Sequence, residues 1–259
     1  MTGITTYTPG AFCWADLSSP DQPASKDFYT KLFGWSSSDS PMGEGMVYSE
    51  MRVDGKAAAG IAPAMPGEAG PVAWAVYVNV ESADAAVERA RSLGATVVGE
   101  GAFDVPDAGR MALISDPAGS VFRVWEPTAH AGAQVMQAAG ALSWFELSSS
   151  DVDAATPFYS QMFDWKVAGP PGMEDYLIAT TAAGEGTGAI MAAQGPATGW
   201  LVYFGSDDVD ASVVTAKEHG AAEVVPATDI PGNMGRFAVM RDPQGAVFGL
   251  YKFPPQAAA

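Results

Sequence analysis

The sequence contains an internal duplication, and this feature constrains the fold more than any other. Aromatic and turn residues of the first half recur in the same order further along the chain, first 130 and then 126 positions later. The recurring pairs are residues 14–19 and 144–149, Phe28-Tyr29 and Phe158-Tyr159, Trp35 and Trp165, residues 74–77 and 200–203, and residues 116–119 and 242–245. So many matches in one order predict two homologous halves.

The repeat also predicts where the halves begin and end. The first half is expected to span residues 9–127 and the second residues 140–254. Residues 128–139 between them are rich in Ala and Gly, which favours a linker. The change of offset indicates that the second half has lost four residues net between Trp165 and Trp200, and loops tolerate such losses best.

Each half combines strand and helix patterns in a fixed order. Alternating aromatic and polar residues predict strands, and residues 21–33 carry apolar side chains at helical spacing up to Gly34. Asp54-Gly55 between two short strands is a strong hairpin signal. The order β-α-β-β followed by β-α-β-β-β predicts two related units per half and four in the chain. We therefore expect an α+β fold with curved mixed sheets, helices on one face and a concave face that a partner sheet or a ligand must cover.

The composition excludes several classes of partner. The formal net charge is −17, from 13 basic and 30 acidic residues, so a phosphate backbone or an anionic membrane surface would be repelled. We interpret the acidity as a solubility feature. The single cysteine, Cys13, lies in an apolar run and is expected to be a buried thiol. No signal peptide or long apolar span is visible, which predicts a cytoplasmic protein.

The motifs resemble those of the vicinal oxygen chelate superfamily, which includes glyoxalases and bleomycin-resistance proteins. The resemblance depends on Phe28-Tyr29 in the first helix, on Phe33-Gly34-Trp35 after it, on Asp116-Pro117-x-Gly119 before the last strand, and on their repeats. It covers nearly the whole chain. The tandem arrangement is similar to that of actinobacterial two-domain proteins, among them mycobacterial secreted antigens and accessory proteins of antibiotic pathways.

The resemblance implies metal-ligand positions, and this chain does not fill them with metal ligands. Metal-dependent members carry His or Glu on the first strand of a unit and Glu on the last strand. The residues at these positions here are Trp14, Trp144, Ala75, Leu201, Arg123 and Gly249. Asp16 and Glu146 are the nearby carboxylates, and one carboxylate per cup is too few for a metal site. We therefore expect no metal and no other cofactor.

Strand alternation instead predicts two aromatic cups, one in each half. The first cup is predicted to contain Phe12, Trp14, Asp16, Ala75, Tyr77, Arg123 and Trp125. The second cup is predicted to contain Trp144, Glu146, Leu201, Tyr203, Gly249 and Tyr251. Arg123 is expected to fill the first cup and to pair with Asp16, whereas Gly249 is expected to leave room in the second. Trp74 and Trp200 have the opposite parity and are assigned to packing under the helices.

Aromatic walls with few polar groups suit a planar organic ligand. The sequence thus predicts metal-free binding of a small aromatic molecule of antibiotic or polyketide type, for sequestration, resistance or an accessory role in a biosynthetic pathway. A monomer is expected, with a pathway oxygenase as a candidate partner.

The alternative hypothesis is an enzyme: a lyase, isomerase or oxygenase of the glyoxalase or dioxygenase type, or a cofactor-independent enzyme. In the cofactor-independent case Asp16 or Glu146 would be the general base, since burial raises a carboxylate's pKa toward neutrality. The prediction leans away from an enzyme.

Overall fold

The computed structural model describes residues 3–43, 45–65, 71–195 and 198–254. In these residues each half forms one eight-stranded sheet with two α-helices. The elements of the first half are β1 (Phe12–Ser19), α1 (Gln22–Phe33), β2 (Ser36–Gly43), β3 (Met46–Val53), β4 (Lys56–Pro63), β5 (Trp74–Asn79), α2 (Ala83–Ser92), β6 (Thr96–Val105), β7 (Gly109–Ser115) and β8 (Val121–Pro127).

The second half repeats this order. Its elements are β9 (Leu142–Ser149), α3 (Val152–Phe163), β10 (Lys166–Ala168), β11 (Tyr176–Thr180), β12 (Gly186–Ala192), β13 (Gly199–Gly205), α4 (Val209–Glu218), β14 (Ala222–Asp229), β15 (Arg236–Arg241) and β16 (Val247–Lys252). The predicted α+β class and tandem organisation are confirmed.

The strand order shows how two units join into one sheet. The first sheet runs β2-β3-β4-β1-β5-β8-β7-β6, and the second sheet runs β10-β11-β12-β9-β13-β16-β15-β14. Within each unit the first and last strands are parallel, whereas the two units meet at an antiparallel pair, β1 with β5 and β9 with β13. Each unit is therefore a βαβββ element, and the sheets are mixed, as expected.

The strand β2 was absent from the sequence prediction, which gave the first unit only two strands after its helix. Its residues are mostly small or polar and all are exposed, because β2 is an edge strand with no covered face. A strand of this kind lacks the alternation of apolar side chains on which the prediction depends. The prediction of two strands after the first helix was thus wrong.

Residues with short side chains, or none, determine where the helices begin and end. Asp21 accepts a hydrogen bond from the Ala24 amide at 3.0 Å and begins α1, and Asp151 caps α3 in the same way. Gly34 follows α1 with φ of 69°. Asp164 takes that position after α3 with φ of 56°, a conformation that Asp tolerates better than most residues.

The two halves pack against each other through their helix-bearing faces. The ring of Tyr29 in α1 lies 5.2 Å from Trp74 of its own sheet and 5.5 Å from Phe248 of the other sheet. Trp74 and Trp200 each donate a hydrogen bond to a helix tyrosine, so their predicted packing under the helices is confirmed. Because side chains alternate along a strand, the concave faces lie on the opposite sides of the sheets and are not closed by the partner sheet.

A reciprocal pair of hydrogen bonds joins the halves. The Tyr29 hydroxyl donates to Asp242 Oδ2 at 3.0 Å, and the Tyr159 hydroxyl donates to Asp116 Oδ2 at the same distance. The other oxygen of Asp116 accepts from the backbone amides of its own turn, including that of Ser120 at 2.8 Å. Each Asp-Pro-x-Gly turn thus receives the helix tyrosine of the opposite half.

Two tryptophans make a second reciprocal contact. Trp35 Nε1 donates to the Gly140 carbonyl and Trp165 Nε1 donates to the Gly10 carbonyl, both at 2.7 Å. Gly10 has φ of 84°, and a Cβ there would lie 2.9 Å from the carbonyl oxygen of Phe163. Glycine is required at this position because both the conformation and the close approach exclude a side chain.

The first part of the predicted linker, residues 128–134, lies along the first sheet, whereas Met136 and Ala139 form β-bridges with Leu142 and Gly205 of the second half. The amide of Ala133 donates to the Cys13 carbonyl and that of Gln134 to the Ala57 carbonyl, at 2.8 and 2.7 Å. Cys13 is fully buried, as predicted, and burial raises the pKa of its thiol. Among the described residues no helix is long and apolar enough to cross a membrane.

We expect Tyr29→Phe and Tyr159→Phe each to lower the free energy of unfolding by about 1–3 kcal/mol, because each leaves one oxygen of a buried Asp and one indole N–H without its hydroxyl partner. Urea unfolding followed by circular dichroism measures the change. Tyr251→Phe is the matched control: its hydroxyl donates to the Met234 carbonyl in a partly exposed place, so the loss should stay below about 1 kcal/mol. An equal effect of all three substitutions would contradict the role given to the reciprocal bonds.

Candidate functional site

The first cup is built around a buried ion pair. Arg123 of β8 lies beside Tyr77 of β5 in parallel register, and Asp16 of β1 lies one strand further on. Arg123 Nη1 is 2.5 Å from Asp16 Oδ1 and 2.6 Å from the Tyr77 hydroxyl, which itself donates to Asp16 Oδ2 at 2.6 Å. The predicted pairing of Arg123 with Asp16 is therefore confirmed.

Aromatic side chains close the rest of this cup. Trp14, Tyr77 and Trp125 are at most 5% exposed, and Trp14 Nε1 donates to the Tyr48 hydroxyl at 2.8 Å. Tyr48, which the sequence analysis did not include, lies over Gly60, where a Cβ would overlap its hydroxyl. The first cup is thus filled by its own side chains.

The linker adds a cover to the first cup. The imidazole of His130 packs edge-on against Trp14, with ring centroids 4.7 Å apart, and the His130 carbonyl accepts a hydrogen bond from Trp125 Nε1 at 2.8 Å. Burial lowers the pKa of His130, which favours the neutral form of its imidazole. A neutral ring over an aromatic wall seals the cup without adding charge.

The second cup repeats this arrangement of tryptophan, tyrosine and carboxylate, but among the described residues it has no ion pair at its centre. Trp144 Nε1 donates to the Tyr176 hydroxyl at 2.8 Å, and that hydroxyl donates to Glu146 Oε2 at 2.9 Å. The Tyr203 hydroxyl donates to the other carboxylate oxygen at 3.2 Å. Trp144, Glu146, Tyr176 and Leu201 are all partly exposed, so this cup is the more accessible of the two.

Glu146 has no cationic partner among the residues that the structure describes. Gly249 occupies the register position beside Tyr203 that Arg123 holds beside Tyr77. Burial raises the pKa of Glu146, and the hydrogen bonds from Tyr176 and Tyr203 offset only part of this effect. Burial also raises the pKa of both tyrosines, which keeps them protonated and able to donate.

Gly249 does not open a gap in the way the sequence analysis expected. The ring of Tyr203 leans over it, and a Cβ at Gly249 would overlap that ring. The second cup is accessible because Trp144 and Glu146 reach its surface, and the reason given from Gly249 was wrong. Tyr251 lies two positions along β16, where its hydroxyl donates to the Met234 carbonyl at 2.7 Å.

Phe12 is absent from the first cup, contrary to the prediction. The pairing of β1 with β5 shifts by one residue between Phe12 and Trp14, and this irregularity turns Phe12 to the opposite face. There it stacks on Phe145 of the other half, with ring centroids 4.2 Å apart. Strand alternation counted from the sequence alone cannot detect such a bulge.

The two candidate bases differ in their surroundings. Asp16 is 7% exposed and is held by Arg123 and Tyr77. Glu146 reaches the surface and, among the residues that the structure describes, accepts hydrogen bonds only from hydroxyl groups. A proton acceptor needs a free lone pair and a route to the substrate, so Glu146 is the carboxylate suited to that role.

The residues present do not fit the metal site that the sequence resemblance implies. Tryptophans occupy both first-strand positions, and Arg123 is engaged with Asp16. Among residues 3–43, 45–65, 71–195 and 198–254, no group of three or more His, Cys, Asp or Glu side chains is placed to hold a metal ion. A divalent metal needs several converging ligands, and each cup offers one carboxylate.

A separate cleft, which the sequence did not predict, opens beside the second half. It has a volume of about 510 Å³ and lies between the N-terminal segment and β9, where Tyr7, Phe12, Trp144 and Thr187 contribute to its walls. Glu185, which is exposed, is the only charged side chain among the residues that line it. The cleft therefore lacks the arrangement of hydroxyls around a carboxylate that distinguishes the second cup.

Comparison with known proteins agrees with the repeated fold. Residues 12–124 match the family model of the glyoxalase/bleomycin resistance protein/dioxygenase superfamily, and residues 144–251 match that of a glyoxalase-like domain. The protein named "Putative glyoxylase CFP32" of Mycobacterium tuberculosis is 38% identical over 265 residues, covering 99% of this chain and 100% of that protein. The anthracycline biosynthesis protein DnrV of Streptomyces peucetius is 36% identical over 266 residues, covering 95% and 94%.

Solved structures share the fold at low identity. The Mn(II)-bound glyoxalase of Novosphingobium aromaticivorans superimposes with a TM-score of 0.66 at 16% identity, over 94% of this chain and 82% of that one. A variant of homoprotocatechuate 2,3-dioxygenase from B. fuscum gives 0.67 at 15% identity, over 97% and 73%. With two matched family models and full-length relatives, the chain belongs to the glyoxalase/bleomycin resistance protein/dioxygenase superfamily, as a member with two such domains in tandem.

Proposed function

We propose that this protein binds a small aromatic organic molecule in its second cup without a metal ion. One observation carries the proposal: Trp144 and Glu146 reach the surface in a frame of tyrosine hydroxyls, whereas the duplicate frame in the first half is closed by its own side chains. A planar ligand gains contact area from an indole and orientation from a few fixed polar groups.

The chemistry of the ligand is suggested by a relative. A protein 36% identical to this chain is named an anthracycline biosynthesis protein, and anthracyclines are polycyclic aromatic compounds. We extend this class of compound to the present protein as part of the proposal. An accessory role in a biosynthetic pathway, sequestration or resistance would each use the same binding site.

Proton transfer at Glu146 is a second candidate function. Burial raises the pKa of this carboxylate, which brings it closer to the range in which a general base is effective near neutral pH. Tyr176 and Tyr203 hold both of its oxygens and would orient it toward a bound substrate. This activity would need neither a metal nor another cofactor.

Replacement of the carboxylate by an amide should have opposite effects on stability in the two cups. Asp16→Asn leaves the buried Arg123 without its counter-charge and should lower the free energy of unfolding by about 3 kcal/mol. Glu146→Gln removes a partly buried charge that has no cationic partner in the described part of the chain and should raise the free energy of unfolding at pH 7 by about 1 kcal/mol. Urea unfolding of both variants measures the difference, and a loss of stability in Glu146→Gln equal to that in Asp16→Asn would contradict the asymmetry.

The increase in the free energy of unfolding caused by Glu146→Gln should depend on pH. The folded-state pKa of Glu146 lies above its unfolded value, so protonated Glu146 stabilises the fold at low pH and this contribution is lost as pH rises through the folded pKa. The advantage of the variant should therefore be present at pH 7 and vanish below about pH 4, the ordinary range of a glutamate. Unfolding curves at several pH values test this, and an advantage that grows toward low pH would refute it.

Ligand binding itself is tested by titration with a panel of anthracyclines and related polycyclic polyketides, followed by the fluorescence anisotropy of the ligand. Trp144→Phe should weaken binding about five-fold, through loss of indole contact and of the bond to Tyr176, since one stacked aromatic contributes on the order of 1 kcal/mol. Trp14→Phe, the matched change in the closed cup, should leave affinity unchanged.

Two outcomes would overturn the proposal. One is the absence of binding across the panel. The other is a stoichiometric transition metal in the purified protein by elemental analysis, since the proposal requires a metal-free site.

A further inference from the structure

The first cup shows which chemical group is bound by this arrangement of a carboxylate, a tyrosine hydroxyl and an aromatic ring. In it the carboxylate of Asp16 and the hydroxyl of Tyr77 hold the guanidinium of Arg123. The guanidinium carbon also lies 5.1 Å from the centre of the Tyr77 ring, within the range of a cation–π contact. The frame thus binds a cation through one carboxylate, one hydroxyl and an aromatic face.

The second cup keeps this frame and lacks the cation. Glu146 replaces Asp16, Tyr203 replaces Tyr77 in the same strand register, and Gly249 replaces Arg123. Both carboxylate oxygens of Glu146 accept a tyrosine hydroxyl, and each oxygen retains a further lone pair. In the described part of the chain, no charged partner contributes to the electrostatics of Glu146.

A cation that pairs with Glu146 would be supplied by a ligand, because the described chain provides none. The ring of Tyr203 occupies the space beside Gly249, so the strand side of the cup is closed. The open side is the one on which Trp144 and Leu201 are partly exposed. Glu146 is also partly exposed, so a ligand that contacts Trp144 and Leu201 from solvent can reach its carboxylate.

We propose that the second cup selects aromatic molecules that carry a protonated amine or guanidinium, and that Glu146 is the residue that determines this specificity. This inference rests on the proposed function, because it names the class of ligand for the same site. The negative net charge of the chain, −17, adds a field that favours the approach of a cation. The recognition uses the same pairing as the first cup, a cation against a carboxylate, with the ligand entering from the open side instead of from the position of Arg123.

Three probes with the same three-ring plane and different charge test the proposal. These are 9-(aminomethyl)anthracene as the cation, 9-anthracenemethanol as the neutral compound and 9-anthracenecarboxylate as the anion. Dissociation constants are measured at pH 7 by anthracene fluorescence on the intact protein. A charge-assisted hydrogen bond predicts that the cation binds about ten-fold or more tightly than the alcohol, and that the anion binds most weakly.

Two variants separate Glu146 from the overall charge. Glu146→Gln should bind the cation and the alcohol equally well, with the affinity for the alcohol close to that of the original protein. Glu218→Gln removes one negative charge from the exposed end of α4 and should retain the preference for the cation. Circular dichroism spectra confirm that both variants are folded.

The outcomes distinguish this inference from the proposed function. Equal binding of all three probes would overturn the inference and leave aromatic binding in place. A preference for the cation that persists in Glu146→Gln would assign it to the net charge and overturn the role of Glu146. If none of the probes binds, the proposed function fails and this inference fails with it.

Discussion

The hydrogen bond between a helix tyrosine and the aspartate of the opposite Asp-Pro-x-Gly turn is the interaction on which the arrangement of the two halves depends. Tyr29 and Tyr159 each reach across to an aspartate that already organises its own turn. A sequence motif that both halves share therefore has two roles: it shapes a local turn, and it provides the acceptor for the other half. Because the helix-bearing faces are used in this contact, both concave faces lie on the sides of the sheets that point away from it.

The two concave faces then differ through a small number of side chains. In the first, Arg123 neutralises Asp16 and His130 covers the tryptophan wall. In the second, Gly249 supplies no charge, and Glu146 is held by hydroxyl groups alone. The backbone frame is the same in both, so the difference between a packed interior and a candidate binding site resides in these positions.

Much of this could be predicted from the sequence, because a repeat fixes equivalent positions without any structure. The offset between repeats located the equivalent tryptophans, and strand alternation placed Asp16 beside Arg123. Tyr48 and Tyr176 were missed because they lie on other strands than the first strand of each half. The register of those strands depends on hairpin and loop lengths, which the alternation of side chains along a strand does not reveal. Phe12 was misplaced because a bulge reverses the parity of one residue, and β2 was missed because an edge strand needs no apolar face.

The reciprocal contacts also bear on how such a chain arises. A single half would present an unpaired helix tyrosine and an unpaired turn aspartate, and a second copy related by a two-fold axis would satisfy both. In such an ancestral homodimer every substitution would appear in both cups at once. Fusion of the two copies into one polypeptide removes that symmetry, so one cup is free to become packed interior while its sister keeps a partly exposed acid.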